Sequence, residues 1–230
     1  MTAPPRNTSR SGSATFAKLL IAAAFPLVAL GNALLILLLP WTAEVMYALP
    51  GFPDDPLGLA GSDREELAET GIRAIWPVGP GSELLVDATL PDGSEAFTEK
   101  EITHMDDVRE LVRITLGLWL LALVAGAASA LTLVRRGGQL LTEAIRLGAL
   151  VTLAAMALLL LVSAVAFEPF FDAFHGIFFE GDSWKFKDFY TLRRIYPDAF
   201  WSIATVMMAL LVLAQALVAV WMTRESRIQS

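Results

Sequence analysis

The sequence predicts a polytopic α-helical membrane protein. It has four transmembrane helices, a small extracytoplasmic α+β cap between the first and second, and an aromatic loop between the third and fourth. Three observations predict this. Of the 230 residues, 55% are hydrophobic, with a mean hydropathy of +0.57. Four continuous apolar windows, 19–40, 114–134, 148–167 and 199–222, carry no charged side chain, and each reaches the roughly 20 residues needed to cross a bilayer. Basic residues gather at the ends that alternate crossings would bring to one side.

Taken in order, residues 1–18 form a tail with Arg6, Arg10 and Lys18 and no acid. Its first dozen residues are too polar for a packed core and read as disordered. The first apolar window is too long for a signal-peptide core and is not closed by a small-residue cleavage site, so it reads as a retained anchor. Pro26 is expected to kink this span, and Asn32 to face the helical bundle rather than lipid. Trp41 and Tyr47 fit an interfacial belt. The stretch "GFPDDPLGLAG" (Gly51–Gly61) is turn-rich. Ser62 with Glu65 three residues later reads as a capping box opening a short amphipathic helix over Asp63–Trp76, with Leu67, Ile72, Ile75 and Trp76 on one face. "SELLVDATLPDGSEAF" reads as a β-hairpin about Pro91-Asp92-Gly93. Thr98 and Glu101 form a second capping box. From there a helical pattern runs through residues 99–113 into the second span, so His104 stands on that span's outer extension.

The turn at 135–147 holds Arg135, Arg136 and Arg146 against Glu143, and the tail at 223–230 holds Arg224 and Arg227 against Glu225. With the N-terminal tail, these regions define the cytoplasmic side. Both termini are then inside, while 41–113 and 168–198 are outside. Pro169 and the glycines at 176 and 181 argue against a long regular helix in the second outer segment.

Between Trp41 and Glu110 stand 16 acidic and 4 basic residues, a local charge near −12 that accounts for the overall −7. Such a surface excludes nucleic acid and docking on anionic headgroups. The chain has no cysteine. That removes disulfides, thiolate metal sites and a cysteine nucleophile. There is no G-x-S-x-G elbow, no H-E-x-x-H, and no Walker or dinucleotide fingerprint, so no cofactor or metal is expected. A reaction whose substrate supplies its own nucleophile fits what is left, with proximity supplying much of the acceleration.

The only two histidines, His104 and His175, both fall on the outer side near the membrane surface. An imidazole with an ordinary pKa near 6.5 suits general acid–base work, and each is equally at home as an amphipathic interfacial side chain. Phe170, Phe171, Phe174, Phe178, Phe179, Trp184 and Phe186 read either as an interfacial belt or as a greasy groove with His175 at its mouth. Asp107, one turn from His104, either orients it or is a solvated acid. Arg113 either faces a developing oxyanion or snorkels at the rim.

Three blocks resemble one family. "FTEKEIT" running into "HMDDVREL" (His104–Leu111) is similar to the H-M-x-D-V-K motif of the lipoprotein intramolecular transacylases, Lit. "FHGIFFEGDSWKF" (Phe174–Phe186) followed by "IYPDAFW" (Ile195–Trp201) resembles that family's F-H-x-I-F-F…W-x-F…F-P-E-x-F-W stretch. "YALPGFPDDPLGLAGSDREELA" (Tyr47–Ala68) looks like the segment many members carry after the first span. Arg109 stands where lysine is common, and Tyr196 where phenylalanine is common. The resemblance implies a bacterial cytoplasmic-membrane enzyme that acts on diacylglyceryl-modified lipoproteins. The sn-2 acyl chain moves to the free α-amine of the N-terminal cysteine, leaving an N-acyl, S-monoacylglyceryl form. It implies His104 and His175 as the catalytic pair; for such a reaction Trp184 and the phenylalanines would hold the acyl chains, with Asp107 and Arg113 the candidate supporting residues. The rival expectation is a non-enzymatic envelope protein that binds a partner or lipid through its outer loops.

Overall fold

The computed structural model describes residues 8–228. The described residues form nine helices: α1 (Thr8–Leu37), α2 (Trp41–Tyr47), α3 (Gly61–Ala74), α4 (Glu83–Val86), α5 (Glu99–Val134), α6 (Gln139–Val165), α7 (Phe167–Phe178), α8 (Thr191–Ile195) and α9 (Asp198–Ile228). Four are long and apolar enough to cross a membrane, over Gly12–Leu37, Glu99–Val134, Gln139–Val165 and Asp198–Arg224. Uninterrupted helix satisfies the backbone within each segment, as hydrocarbon demands. Their many exposed leucines and valines, such as Leu121, Leu158 and Leu210, are the surface that lipid covers. The expected disorder of the tail and the position of Arg6 lie outside the described residues, except that α1 has already begun at Thr8. α1 continues through Pro26 without a break.

The chain divides into two compact units, one from residues up to Ala33, Gly117–Leu159 and Ala209 onward, the other from Leu34–Leu116 and Leu160–Met208. In the first, small residues let helix backbones approach. A Cβ on Gly148 would lie 2.6 Å from the Phe25 Cβ and 2.9 Å from the Ala22 carbonyl oxygen. Asn32 is the polar centre of this unit. It donates to Gln215 Oε1 at 2.8 Å and accepts from Trp119 Nε1 at 3.0 Å, while Gln215 Nε2 reaches the Ala29 carbonyl at 3.0 Å. The expected inward placement of Asn32 is borne out. Lys18 pairs with Glu143 at 2.6 Å.

The second unit has its own core. Met46, Leu67, Ile72, Leu85, Phe97 and Ile195 are buried together. α3 presents Leu67 and Ile72 to it, as the pattern predicts, but starts at Gly61 with Ala60 as N-cap and no side-chain cap bond. Ser62 therefore lies inside the first turn, and the capping box expected there does not form. The second box does form. Glu101 Oε2 accepts from the Thr98 N–H and from the Thr98 hydroxyl, both at 2.8 Å.

The expected α+β character of the cap needs correction. Among the described residues there is no strand, and the hairpin shrinks to a single antiparallel bridge, Thr89 to Glu95. The turn itself is as predicted: Gly93 has φ +83, and Asp92 Oδ1 accepts from the Ser94 N–H at 3.0 Å. The first arm coils into α4 because Leu85 is drawn into the core beside α3. Two short strands with no third partner are marginal, so packing decides the outcome.

Three charged side chains tie the irregular segments down. Buried Arg64 donates Nε and Nη2 to the Arg194 carbonyl at 3.0 and 2.7 Å, and Nη1 to the Pro53 carbonyl at 2.8 Å. Arg194 pairs with Asp55 at 2.8 Å; although burial alone would raise the Asp55 carboxyl, its hydrogen bonds from Arg194 and Leu59 hold it below the usual range. Arg109 donates to the carbonyls of Trp76 at 3.1 Å and Gly79 at 2.7 Å. Gly81, with φ +72, lies so close to the Arg109 guanidinium that no Cβ fits.

Candidate active site

The site belongs to the second unit and is built by α5, α7 and the turn after α7. The Thr98–Glu101 box fixes the start of α5 and so sets the direction of His104, one turn on. Glu101 does more than cap. Its Oε1 accepts from the buried Leu192 N–H at 2.7 Å, and Thr191 Oγ1 donates to the Ala96 carbonyl. The helix start is thereby fastened to α8.

α7 forms despite Pro169 because that proline falls in its first turn, where a missing N–H costs no helical bond. Phe171 and His175 are four residues apart and share the buried face, with Phe179 just beyond the helix end. The rings of Phe171 and His175 are 4.0 Å apart, and Trp184 stacks on His175 at 4.8 Å. Phe179 touches both histidines, at 4.9 Å from His104 and 5.6 Å from His175. Phe186 meets His104 edge-on at 5.3 Å. The two imidazoles, 71 residues apart in sequence, thus line one aromatic cup, and each is only 8% exposed.

The turn that carries Trp184 is held in place from both sides. Asp182 and Lys185 pair at 2.9 Å, and Lys100 donates to the Lys185 carbonyl at 2.7 Å while lying over the Phe186 ring at 5.0 Å.

The surroundings set the protonation states. His104 sits on the charged first turns of α5, before the apolar stretch that begins at Ile114. Burial among rings pushes its imidazole down to about 4, and the charge on a protonated His175 adds to the effect. Burial also lowers His175 below the usual range, partly offset by a hydrogen bond to the Phe171 carbonyl at 2.8 Å. A carbonyl oxygen only accepts, so His175 Nδ1 carries the proton and donates. Its Nε2 then holds the lone pair when the ring is neutral. His104 Nδ1 is buried with no hydrogen-bond partner.

The lipoprotein intramolecular transacylase Lit family matches residues 85–201, slightly more than half of the chain. The chain belongs to this family. An uncharacterised protein of Aquifex aeolicus (strain VF5) is 30% identical over 194 residues, covering 84% of this chain and 86% of that protein. The solved structure of the membrane-integral lipoprotein intramolecular transacylase Lit from Bacillus cereus superposes with a TM-score of 0.76 at 14% identity, over 96% of this chain and 100% of that one. A variant of that protein with one histidine replaced by arginine gives 0.69 at 13% identity, over 97% of each chain. At these identities the structures speak for the fold, and they share the four-span helical plan.

Against this Lit framework the sequence-predicted residues separate into two groups. His104, His175, Phe179, Trp184 and Phe186 come together. Phe174 and Phe178 do not enclose the histidines. They lie on the outer face of α7, 43% and 47% exposed, with rings 5.0 Å apart, although Phe174 touches the edge of His175 at 5.5 Å. Asp107 is exposed and makes no hydrogen bond to His104, because one turn of helix carries it past the ring toward solvent. Arg113 is also turned away. Its Nε donates to the Pro77 carbonyl at 3.1 Å, and it pairs loosely with Glu110 at 3.6 Å, so it helps Arg109 hold residues 76–81. Sequence reasoning placed Phe171 in the aromatic belt or groove but missed that its carbonyl selects the His175 tautomer, and it missed the second role of Glu101. The i, i+4 spacing of Phe171 and His175 signalled the first. Nothing local signalled the second, since Leu192 is 91 residues away.

Proposed function

We propose that the chain catalyses intramolecular acyl transfer on bacterial lipoproteins at the outer face of the cytoplasmic membrane, with both termini in the cytoplasm. The substrate is a lipoprotein whose N-terminal cysteine carries a diacylglyceryl thioether and a free α-amine. The amine attacks the sn-2 ester carbonyl, the N–C bond forms, and the ester C–O bond breaks. The product carries an amide-linked chain and a free glycerol hydroxyl. Convergence of the chain's only two histidines on one aromatic cup is the observation that carries this reading.

His175 serves as the base. Its Nε2 lone pair takes the proton from the attacking amine, while Nδ1–H stays on the Phe171 carbonyl and spreads the charge of the imidazolium. The same proton is then delivered to the departing glycerol oxygen. His104 stays neutral down to acid pH, so it acts as an uncharged polar partner to the reacting groups. Phe179, Trp184 and Phe186 exclude water and hold the acyl chains. Nucleophile and electrophile belong to one molecule, so the enzyme's main contribution is to hold them in a near-attack geometry.

The test uses purified protein in phospholipid vesicles with a synthetic diacylglyceryl lipopeptide. The reading predicts an acyl chain that survives mild alkaline hydrolysis, because an amide resists what an ester does not, with no change in the mass of the intact lipopeptide. A lipopeptide that loses both chains to alkali after incubation would refute it.

A further inference from the structure

The first compact unit holds a cavity that acyl transfer does not use. It measures about 350 Å³ and is lined by Lys18 of α1 and by Glu143, Arg146, Leu147 and Leu150 of α6. Ligand sites begin near this volume. The lining is divided by depth. Lys18 stands immediately before the apolar window 19–40, and Arg146 two residues before the window 148–167, so both cations lie at the level of the lipid headgroups. Leu147 and Leu150 are exposed on the hydrocarbon side. A charged mouth over an apolar floor matches the upper part of a phospholipid.

Charge then selects the lipid. Lys18 and Glu143 pair at 2.6 Å, and two cations against one acid leave the lining with a net positive charge. Arg146 is half-buried and, among the described residues, makes no hydrogen bond or ion pair. A guanidinium partly withdrawn from water asks for an anion, and its planar fork fits two oxygens of a phosphate. A cation that served only to orient the chain in the membrane would reach into water, as exposed Arg135 does. We propose that this cavity binds the headgroup phosphate of an anionic phospholipid, with Arg146 as the bidentate donor, Lys18 as the second cation, and the start of an acyl chain against Leu147 and Leu150. Basic pockets between spans at this depth suit such headgroups. A zwitterionic choline lipid brings its own cation to a lining that is already positive, and a free phosphate ion gains nothing from the leucines. This inference rests on the four-span plan and is independent of the acyl-transfer reading.

The experiment uses the full chain, purified and stripped of lipid in a neutral detergent. Native mass spectrometry reads bound lipid, and thermal unfolding is followed alongside. The probes are dioleoylphosphatidylglycerol, dioleoylphosphatidylcholine and inorganic phosphate. The expected result is one phosphatidylglycerol per chain, held about tenfold more tightly than phosphatidylcholine. It raises the thermal midpoint, and inorganic phosphate at the same concentration does not. Arg146→Gln removes the fork and is expected to lose about tenfold in phosphatidylglycerol affinity, the size of one charge-assisted hydrogen bond, with phosphatidylcholine binding unchanged. Arg146→Lys keeps the charge and falls between, and it keeps the test intact where the glutamine variant does not fold. Arg135→Gln removes the same charge outside the cavity and is expected to leave the affinity within about twofold of wild type. Equal binding of the two lipids overturns the proposal. An equal loss in the Arg135 and Arg146 variants also overturns it, because the attraction is then diffuse. Inorganic phosphate that stabilises as well as phosphatidylglycerol overturns it in favour of a free-anion site.

Discussion

Replacing Glu101 with alanine tests how the site is held. The carboxylate is buried and accepts three hydrogen bonds: from the Thr98 N–H, the Thr98 hydroxyl and the Leu192 N–H. Alanine leaves the buried Leu192 N–H without an acceptor, at a cost of about 1–3 kcal/mol. Losing the capping box at the partly buried start of α5 adds roughly 1 kcal/mol. The sum, about 2–4 kcal/mol, corresponds to a fall in Tm of about 5–15 °C for a chain of this size. Glu101→Gln keeps one carbonyl acceptor and is expected to fall between wild type and alanine. Glu99→Ala, at an exposed neighbouring position, is expected to change the midpoint by about 1–2 °C at most. The assay is thermal unfolding in one detergent, followed by near-ultraviolet circular dichroism, with transfer activity measured alongside. A Glu101→Ala midpoint within about 1 °C of wild type would refute the argument, because three lost bonds at a buried carboxylate cannot be silent.

Further expectations follow from the same geometry. The acid limb of the transfer rate is expected below pH 6.5, since His175 must be neutral to act and burial lowers its pKa; a limb above pH 6.5 would contradict this. Stability carries the same sign: above pH 6.5 His104 is neutral folded and unfolded, and between 6.5 and about 4 the unfolded chain binds a proton that the folded chain resists, so stability falls with pH through that window. Denaturant titrations of wild type and His104→Gln should show the slope shrinking in the variant. Gly71→Ala should cost about 1–3 kcal/mol, because its Cβ meets the Tyr196 hydroxyl, which itself donates to the Ala68 carbonyl at 2.6 Å. Adding Tyr196→Phe should recover part of that loss. Asn32→Ala should cost about 1–2 kcal/mol by orphaning the Trp119 N–H and one side of Gln215, read from thermal midpoints in detergent.

The membrane plan was legible because its signal is long and one-dimensional. Four uncharged windows of sufficient length leave helices as the economical solution, and four long apolar helices are there. Local chemistry was legible where it closes within a few residues, as in the Thr98–Glu101 box and the Asp92–Gly93 turn. It failed where tertiary packing competes. Ser62 had the right partner three residues on, but α3 begins two residues earlier than expected, at Gly61 with Ala60 as N-cap, and its Leu67 and Ile72 are buried in the core. The residues around Leu85 had strand-like composition, but burial against α3 coiled them instead. At the site, motif likeness picked out both histidines, and their proximity required the fold. Asp107 and Arg113 failed because sequence spacing fixes an angle around a helix and not what lies opposite. The exposure of Phe174 and Phe178 likewise follows from which face of α7 the Phe171–His175 pair commits to the protein. The outward pair and Ile177, which is 75% exposed, give α7 an apolar face suited to the lipid interface.

The central claim is that His104 and His175 together move one acyl chain from glycerol to the α-amine. The most direct measurement is tandem mass spectrometry of the N-terminal lipopeptide of a reporter lipoprotein, from cells lacking other N-acylating enzymes. The cells would express wild type, His104→Ala or His175→Ala at matched levels. The account predicts fragments of an N-acylated cysteine with a monoacylglyceryl thioether for the wild type, at the mass of the unmodified diacylglyceryl form. It predicts a free amine with both chains on glycerol for each variant. A wild type that leaves the amine free, or a histidine variant that still acylates it at the wild-type rate, would contradict the account.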